Sequence, residues 1–438
     1  MKIIKKKADF LEFLGILESR GAAPSSAVEQ TVSGILHEVK TGGDTAVLKY
    51  TKKFDYKNAG RLSFTPAEIN RIADTADPGI VRELKRAAKR IRKFHEMQAE
   101  SSWSFSEDDT VLGQIIRPLK RVGVYVPGGK AAYPSTALMN IIPAQVAGVK
   151  EIAVCVPVPK GDVNPHVMAA IRMLGVEEVY RIGGAQAIAA MAFGTKSIKK
   201  VDKIVGPGNI YVATAKKMVF GLVDIDMIAG PSEILIIADN SADPAFIAAD
   251  LLSQAEHDEL ASSVLITDSL KLAENVSHEI GKQLPQLRRY EIASASLGNF
   301  GAIVITKNIQ DAVNYSNLIA PEHLEIMTEK PMDILPLIEN AGAVFLGPWT
   351  PEALGDYAAG PNHTLPTGGT ARFFSPLGVY DFYKRSSMLS FGKKGFLRLA
   401  KTVETIADIE GLEAHANTIR VRRKGAEAVI KIRSKRKE

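Results

Sequence analysis

The stretch that decides the fold begins at Val122-Gly-Val-Tyr-Val126 and runs on through three more apolar segments of strand length. These are Glu151-Ile-Ala-Val-Cys-Val156, Val176-Glu-Glu-Val-Tyr180 and Val201-Asp-Lys-Ile-Val205. Each segment ends in a turn and is followed by a helical pattern. Strands that alternate with helices in this way predict a parallel sheet with helices on both faces.

A second series of the same kind follows further along the chain. Its segments are Ile234-Leu-Ile-Ile-Ala238, Ser263-Val-Leu-Ile-Thr267, Ala302-Ile-Val-Ile-Thr306 and Ala343-Val-Phe-Leu346. The first hundred residues have helical spacing, and after about Pro376 we predict helices from Val379 to about Ser387 and from Phe396 to about Ala416. The predicted class is therefore α/β, with two parallel-sheet domains and helical N- and C-terminal extensions.

Charge and cysteine content limit the cellular setting. The 438 residues carry 55 Lys+Arg against 49 Asp+Glu, and Arg420 to Glu438 alone hold nine basic and two acidic side chains, which leaves a neutral body of 46 against 47. A basic run without aromatic residues is typical of a solvated tail, and a nucleic-acid arm is the alternative. Cys155 is the only cysteine, so no intrachain disulfide can form. No apolar run reaches the ~20 residues of a membrane span, and we expect a cytoplasmic protein with no membrane partner.

Three glycine-rich turns follow strands of the first series. They read Val126-Pro-Gly-Gly-Lys130, Ile182-Gly-Gly-Ala-Gln186 and Val205-Gly-Pro-Gly-Asn209. None is the G-x-G-x-x-G dinucleotide motif, and any one of them could be an ordinary strand-to-helix turn. Three bare turns at one sheet edge nevertheless indicate a surface along which a dinucleotide could lie, because ligands bind at the carboxyl ends of parallel strands.

Two clusters of polar residues could carry chemistry. Gln254 and His257 are three apart at a helix end and so share a face, and His363, His415 and Asp356 offer further metal donors if the fold brings them together. Glu322 and His323 lie in a loop that enters a strand, where they could serve as an acid–base pair or form a solvated turn. Cys155 lies in mid-strand, where an inert buried thiol is expected.

Along nearly its whole length the sequence resembles the histidinol dehydrogenase family. The segments that carry the resemblance are Gly123-Val-Tyr-Val-Pro-Gly-Gly129, Tyr133-Pro-Ser-Thr-Ala-Leu-Met-Asn140, Gly184-Ala-Gln-Ala187, Val205-Gly-Pro-Gly-Asn209, Ala229-Gly-Pro-Ser-Glu-Ile234, Ser253-Gln-Ala-Glu-His-Asp258, Ala320-Pro-Glu-His-Leu-Glu325, Gly355-Asp-Tyr357, Gly360-Pro-Asn-His363, Leu365-Pro-Thr367, Gly369-Thr-Ala-Arg372, Glu410-Gly-Leu412 and Ala414-His415. So many ordered matches are far more specific than any single motif.

The resemblance implies an enzyme that oxidises L-histidinol to L-histidine through L-histidinaldehyde, with two NAD and one zinc ion per subunit, as the last step of histidine biosynthesis. It assigns Glu322 to the activation of water and His323 to the general base. The implied zinc ligands are Gln254, His257, Asp356 and His415. The implied substrate contacts are these four residues with Ser232, His323, His363 and Glu410, and the implied NAD contacts are Tyr125, Gln186 and Asn209.

The resemblance also implies the assembly. The two domains would be incomplete Rossmann-like units in an intertwined homodimer with shared active sites, in which Glu410 and His415 come from the other subunit. We divide the chain into an N-terminal helical extension (1–20), a first α/β domain (21–121 and 235–376), a nucleotide-binding α/β domain (122–234) and a C-terminal helical dimerisation segment with a basic tail (377–438). We expect the protein to bind a small-molecule substrate and no nucleic acid.

Three rival hypotheses remain at this stage. A paralogue could oxidise another small alcohol, although Glu410, His415 and Gly360-Pro-Asn-His363 argue against that. A zinc hydrolase could use Glu322 to activate water, with purely structural glycine turns. A nucleic-acid binder could use the basic tail.

Overall fold

Two parallel sheets and one antiparallel sheet form the framework of this chain, in a computed structural model that describes residues 1–20, 26–128 and 133–435. Gly129 and Lys130 of the first glycine turn, and the last three residues of the basic tail, lie outside that range. One unit comprises Met1–Ala99 and Leu119–Phe382, and a second unit comprises Glu100–Pro118 and the chain from Tyr383 onward.

The strands are β1 (Lys2–Ile4), β2 (Trp103–Glu107), β3 (Thr110–Pro118), β4 (Arg121–Tyr125), β5 (Glu151–Cys155), β6 (Glu178–Tyr180), β7 (Lys203–Val205), β8 (Asp224–Ile225), β9 (Glu233–Ala238), β10 (Ser262–Thr267), β11 (Gly301–Ile305), β12 (His323–Met327), β13 (Ala343–Leu346) and β14 (Tyr383–Phe391). The helices are α1 (Lys7–Arg20), α2 (Ser26–Phe54), α3 (Pro66–Ala73), α4 (Pro78–Glu96), α5 (Pro134–Ala147), α6 (Pro165–Met173), α7 (Gly184–Phe193), α8 (Ile210–Val219), α9 (Pro244–Ala255), α10 (Leu270–Gln283), α11 (Tyr290–Phe300), α12 (Ile309–Ile319), α13 (Pro331–Ile334), α14 (Glu352–Leu354), α15 (Lys393–Ile409) and α16 (Glu413–Lys435). None of the described helices combines the length and the apolar character needed to cross a bilayer.

The first series of apolar segments forms a five-stranded parallel sheet with the order β6-β5-β4-β7-β8. Helices α2 and α7 pack together in its core, where Val39 and Val47 join the same apolar cluster as Ile188. The strands run in one direction, so the residues that follow them meet at one edge of the sheet.

The second series forms a six-stranded parallel sheet with the order β1-β11-β10-β9-β12-β13. Its central strand β9 is buried on both faces: Ile234 and Ile236 pack into one apolar cluster, and Leu235 and Ile237 pack into another. This alternation explains the uninterrupted apolar sequence of the strand, since neither face meets water. The two parallel sheets with their helical extensions confirm the predicted α/β class, and the domain bounds drawn from the sequence stay a prediction.

The second unit contains an antiparallel sheet that the sequence analysis missed. The helix predicted from Val379 to about Ser387 is wrong, because a short 3-10 turn at Val379–Phe382 gives way to β14, which pairs with β3 along nine residues. Strand β3 in turn pairs with β2. Pairing with a strand more than 250 positions away outweighs a weak local helical pattern.

Candidate active site

Glu322 and His323 lie at the start of β12, between β9 and β13 in the six-stranded sheet. Helix α12 ends at Ala320, which adopts a left-handed conformation with φ of 53°, and the chain turns there into the strand. Only 7% of Glu322 and 3% of His323 remain exposed. The pair is therefore a buried acid–base pair rather than a solvated turn.

The neighbouring strand holds both side chains through Glu233. The His323 Nδ1 lies 2.9 Å from the carbonyl oxygen of Glu233, and the Glu233 N–H donates a 2.9 Å hydrogen bond to the Glu322 carboxylate. The Glu233 side chain forms a buried ion pair with Arg20, the last residue of α1, and accepts a hydrogen bond from the N–H of Gly368. The sequence analysis missed Arg20 and Glu233, because nothing in their local pattern separates them from ordinary structural residues.

Burial and neighbouring charges shift the pKa of both members of the pair. Burial raises the pKa of Glu322 to about 8; the charge of His323 opposes this rise, and the carboxylates of Glu233 and Asp356 add to it. Burial opposes the protonation of His323, but the carboxylates of Glu352, Glu322 and Asp356 outweigh that effect and raise its pKa well above the ordinary value. Both side chains therefore keep their protons to a higher pH than the isolated groups would.

Several possible metal donors surround His323. The Gln254 amide at the end of α9 lies 3.1 Å from His323 Nδ1, and Asp356 Oδ1 lies 3.5 Å from His323 Nε2. Asp356 belongs to a π-helical turn, Gly355–Ala359, a distortion that is frequent at functional sites. The Gln254 Oε1 and the His323 Nε2 are buried and have no hydrogen-bond partner in the part of the chain that is described.

Glu352 is a candidate ligand that the sequence analysis did not name. The ligand atoms of His323, Glu352 and Asp356 lie within 4.8 Å of one another, which is close enough to hold one ion. Burial raises the pKa of Glu352 to about 7, whereas Asp356 keeps a lowered pKa because its interactions with the rings of His323, His363 and His257 outweigh the effect of its burial. Of the two carboxyls, Asp356 is the better anionic ligand at neutral pH.

His257 stands beside a cavity of about 690 Å³ lined largely by α4, the start of α5 and the π-helical turn. Partial loss of hydration lowers the pKa of its ring, and the nearby charge of Asp356 opposes that shift. A neutral imidazole is the form that binds metals. Tyr133 and Tyr357 also line this cavity.

The other predicted site residues fall in two places. Ser232 directly precedes β9, and His363 Nδ1 lies 2.9 Å from the carbonyl oxygen of Asp356, so both belong with the residues around His323. Glu410 and His415 belong to the second unit: Glu410 follows α15, His415 lies in the first turn of α16, and both are exposed.

The three residues assigned to NAD lie at one edge of the five-stranded sheet. Tyr125 ends β4, and its hydroxyl accepts a 3.1 Å hydrogen bond from the N–H of Gly184 in the turn after β6. Gln186 follows in α7, where both polar atoms of its side chain are buried without a partner among the described residues. Asn209 follows β7 and caps α8, and its side chain is exposed.

Two parallel sheets, one edged by glycine turns and the other holding a buried acid–base pair beside metal donors, define an α/β enzyme. The family model of histidinol dehydrogenase matches residues 18–423. The chain is 53% identical over 420 residues to a histidinol dehydrogenase of Syntrophotalea carbinolica, covering 95% of this chain and 97% of that one. It is 50% identical over 426 residues to that of Lactococcus lactis, covering 96% and 99%.

A solved structure agrees with the sequence comparisons. A crystal structure of histidinol dehydrogenase from Elizabethkingia anophelis superposes with a TM-score of 0.93 at 36% identity, covering 98% of this chain and 99% of that one. The chain belongs to the histidinol dehydrogenase family and is an oxidoreductase.

Proposed function

We propose that this enzyme oxidises L-histidinol to L-histidine through L-histidinaldehyde, the last step of histidine biosynthesis, with reduction of two NAD. The observation that carries the proposal is the surrounding of His323: a carboxyl with a raised pKa on one side, and the amide of Gln254 and the carboxylate of Asp356 on the other. Family membership across nearly the whole chain supports the same reaction.

One zinc ion per subunit would be held by Gln254, His257, Asp356 and His415. The residues fit the metal, because zinc accepts as donors an amide oxygen without a partner among the described residues, a neutral imidazole and an anionic carboxylate. When bound, zinc supplies a Lewis acid that anchors the imidazole and amine of the substrate. Among the described residues, Glu352 is the alternative carboxylate ligand.

In the first half-reaction the unprotonated form of His323, which its raised pKa makes a strong base, takes the proton of the alcohol as hydride leaves the carbon for NAD. Donation from Nδ1 to the Glu233 carbonyl orients the ring, so that Nε2, which has no partner in the described part of the chain, is the atom that receives the proton. The carbon loses one hydrogen with two electrons as hydride, the hydroxyl oxygen loses its proton to the ring, and the alcohol becomes an aldehyde.

In the second half-reaction Glu322 activates a water molecule that adds to the aldehyde. Its pKa of about 8 makes its carboxylate a stronger base than an ordinary glutamate. The hydrate then loses a second hydride to NAD and a proton, which gives the carboxylate product. Cys155 is fully buried, and burial raises the pKa of its thiol, so a thiolate route is not supported.

Tyr125, Gln186 and Asn209 would contact NAD along the edge of the five-stranded sheet. Their position after parallel strands supports this assignment, as does the unpartnered amide of Gln186 among the described residues. Ser232, His363 and Glu410 would contact the substrate together with the zinc ligands and His323. The nucleotide edge also favours this reaction over hydrolysis, in which the glycine turns would have no role.

We further propose a cytoplasmic homodimer with shared active sites, without nucleic-acid or membrane partners. Glu410 and His415 would reach the active site of the other subunit. Their exposure on the second unit supports this arrangement, since side chains on a separate unit are free to serve a neighbour.

The decisive test is the stoichiometry of NADH formed per L-histidinol consumed, followed at 340 nm with and without a chelator. Two NADH per substrate, lost on chelation and restored by zinc, are expected. No NADH, together with hydrolysis of an amide, would favour the zinc hydrolase. Turnover of another small alcohol in preference to histidinol would favour the paralogue.

A further inference from the structure

A buried ion pair lies directly behind the third glycine turn. Lys216 on α8 pairs with Asp226, which follows β8, and only 3% and 1% of their side chains are exposed. Both groups also bind the main chain of Gly206, one on each of its two flanking peptide units: the N–H of Gly206 donates a 2.7 Å hydrogen bond to Asp226 Oδ2, and the carbonyl of Gly206 accepts a 2.9 Å hydrogen bond from Lys216 Nζ. The pair thus holds both polar groups of a single glycine.

Gly206 needs to be held in this way because its conformation is unusual. Its φ is +112°, a region that residues with side chains rarely adopt, and a Cβ there would clash with the carbonyl of Tyr125 on the neighbouring strand. Glycine is flexible, so without external partners its peptide could rotate. The buried pair removes that freedom.

The held peptide sets the path of the residues assigned to the cofactor. Only Pro207 and Gly208 separate Gly206 from Asn209, and Gly208 packs so closely against Val212 that a Cβ would not fit. The Asn209 Oδ1 already caps α8 by accepting hydrogen bonds from the N–H groups of Tyr211 and Val212. The main chain of the turn is therefore held at Gly206 by the ion pair and at Asn209 by the helix cap.

We propose that Lys216 and Asp226 are positioning residues for dinucleotide binding, an inference that rests on the proposed function. A buried ion pair is weak evidence for stability, since apolar replacements of both partners are often neutral or stabilising. An apolar pair could not bind the N–H and the carbonyl of Gly206 at the same time, as Asp226 and Lys216 do. The role of the pair is to keep the turn preorganised for NAD.

The test compares Lys216→Met, Asp226→Asn and the double variant with a matched control. The control is Lys203, another buried lysine with acidic partners: its Nζ lies 3.0 Å from Asp224 and 3.8 Å from Asp381. Lys203 is the first residue of β7, at the end of the strand opposite to the Gly206 turn. Lys203→Met thus removes a buried lysine from the same domain and leaves the hydrogen bonds of Gly206 in place. NADH binding by fluorescence titration, and KM and kcat of the zinc-loaded enzyme, are the readouts.

We expect each Lys216 and Asp226 variant to weaken NADH binding and to raise KM for NAD by about tenfold, with KM for histidinol and kcat at saturating NAD little changed, because only cofactor positioning is lost. Lys203→Met should leave NADH affinity unchanged. Asp226→Asn keeps the shape of the side chain and serves if Lys216→Met fails to fold.

Two outcomes would overturn the inference. NADH affinity equal to that of the native enzyme in folded Asp226→Asn and in the double variant would remove the positioning role. An equal loss of NADH affinity in Lys203→Met would show that the effect of the Lys216 and Asp226 variants is a general loss of stability. Failure of the native enzyme to bind NADH is distinguishable from both, since it would end the proposed function as well.

Discussion

The backbone N–H of Glu233 donates to the carboxylate of Glu322 at 2.9 Å, and the backbone N–H of Glu322 returns a 3.3 Å hydrogen bond to the carboxylate of Glu233. Two buried carboxyls on adjacent strands are thereby locked together. Arg20 supplies positive charge to both, as a direct ion pair with Glu233 and at longer range to Glu322. The end of α1 thus supports the side chains that we propose for catalysis.

Replacement of Arg20 by Met should destabilise the protein by about 3–5 kcal/mol, because it leaves the buried carboxylate of Glu233 without its partner. Denaturant unfolding of the variant measures the loss. The double variant Arg20→Met/Glu233→Gln should lose less, since the glutamine carries no charge and its single side-chain oxygen can still accept one of the two hydrogen bonds, from the N–H of Glu322 or that of Gly368. Additive losses in the double variant would contradict this account.

Glu322→Gln and His323→Asn should separate the two half-reactions. Loss of a positioned acid or base costs roughly 10²–10⁴-fold in rate. Glu322→Gln should release about one NADH per histidinol quickly and then stall with aldehyde, whereas His323→Asn should slow the first NADH. Stopped-flow absorbance at 340 nm, together with trapping of the aldehyde, follows both steps.

The informative control is added aldehyde. His323→Asn should oxidise L-histidinaldehyde far better than histidinol, and Glu322→Gln should oxidise neither efficiently to the acid. If each variant lost both half-reactions to the same extent, the division of roles between the two residues would be wrong.

Much of the framework could be predicted because its signals are local. The strands of both parallel sheets are short apolar runs bounded by turns, and the segment of β9 is apolar throughout because both of its faces are buried. The position of Glu322 and His323 at the entry to a strand is also a local property. Resemblance to the family added the proposed roles of the site residues, which no periodicity provides.

The features that the sequence did not predict depend on contacts between distant parts of the chain. Strand β14 exists because β3 pairs with it, and Glu352 lies beside His323 only because the sheet and the short helix α14 bring them together. Arg20 bonds to a residue 213 positions away. Nothing within a window of a dozen residues marks any of these groups, so they could not be predicted from the sequence alone.

Cys155 should be dispensable for catalysis. It lies fully buried in β5, and burial raises the pKa of its thiol, so the nucleophilic thiolate is not available in the folded enzyme. Cys155→Ala should keep its turnover rate within about twofold, at a modest cost in stability from the small cavity. Iodoacetamide should not inactivate the native enzyme, and thiol labelling should appear only on unfolding. Rapid inactivation of the folded enzyme by alkylation at Cys155 would reopen the thiolate route.

A buried carboxyl pair behind the site should make stability fall with rising pH. Asp250 on α9 lies near Glu325 on β12, of which only 1% is exposed, and burial and mutual repulsion favour a state in which the pair keeps a proton. Burial raises the pKa of Asp250 to about 6 and that of Glu325 well above its ordinary value. In the folded protein this pair therefore binds more protons than in the unfolded chain from about pH 4 upward, and its contribution to the unfolding free energy decreases as the pH rises through that window.

Glu325→Gln should remove this dependence. A glutamine can accept the 2.7 Å hydrogen bond from the N–H of Glu352 and donate to Asp250 without holding a titratable proton. The variant should match the native protein at pH 5 and exceed its unfolding free energy by about 1 kcal/mol or more at pH 8, where one pKa unit corresponds to about 1.4 kcal/mol. Urea unfolding at both pH values, with zinc held constant, gives the comparison, and the titrating groups that do not interact with Glu325 cancel in the difference between the two proteins. A difference that does not grow between pH 5 and pH 8 would show that Asp250 and Glu325 do not share a proton.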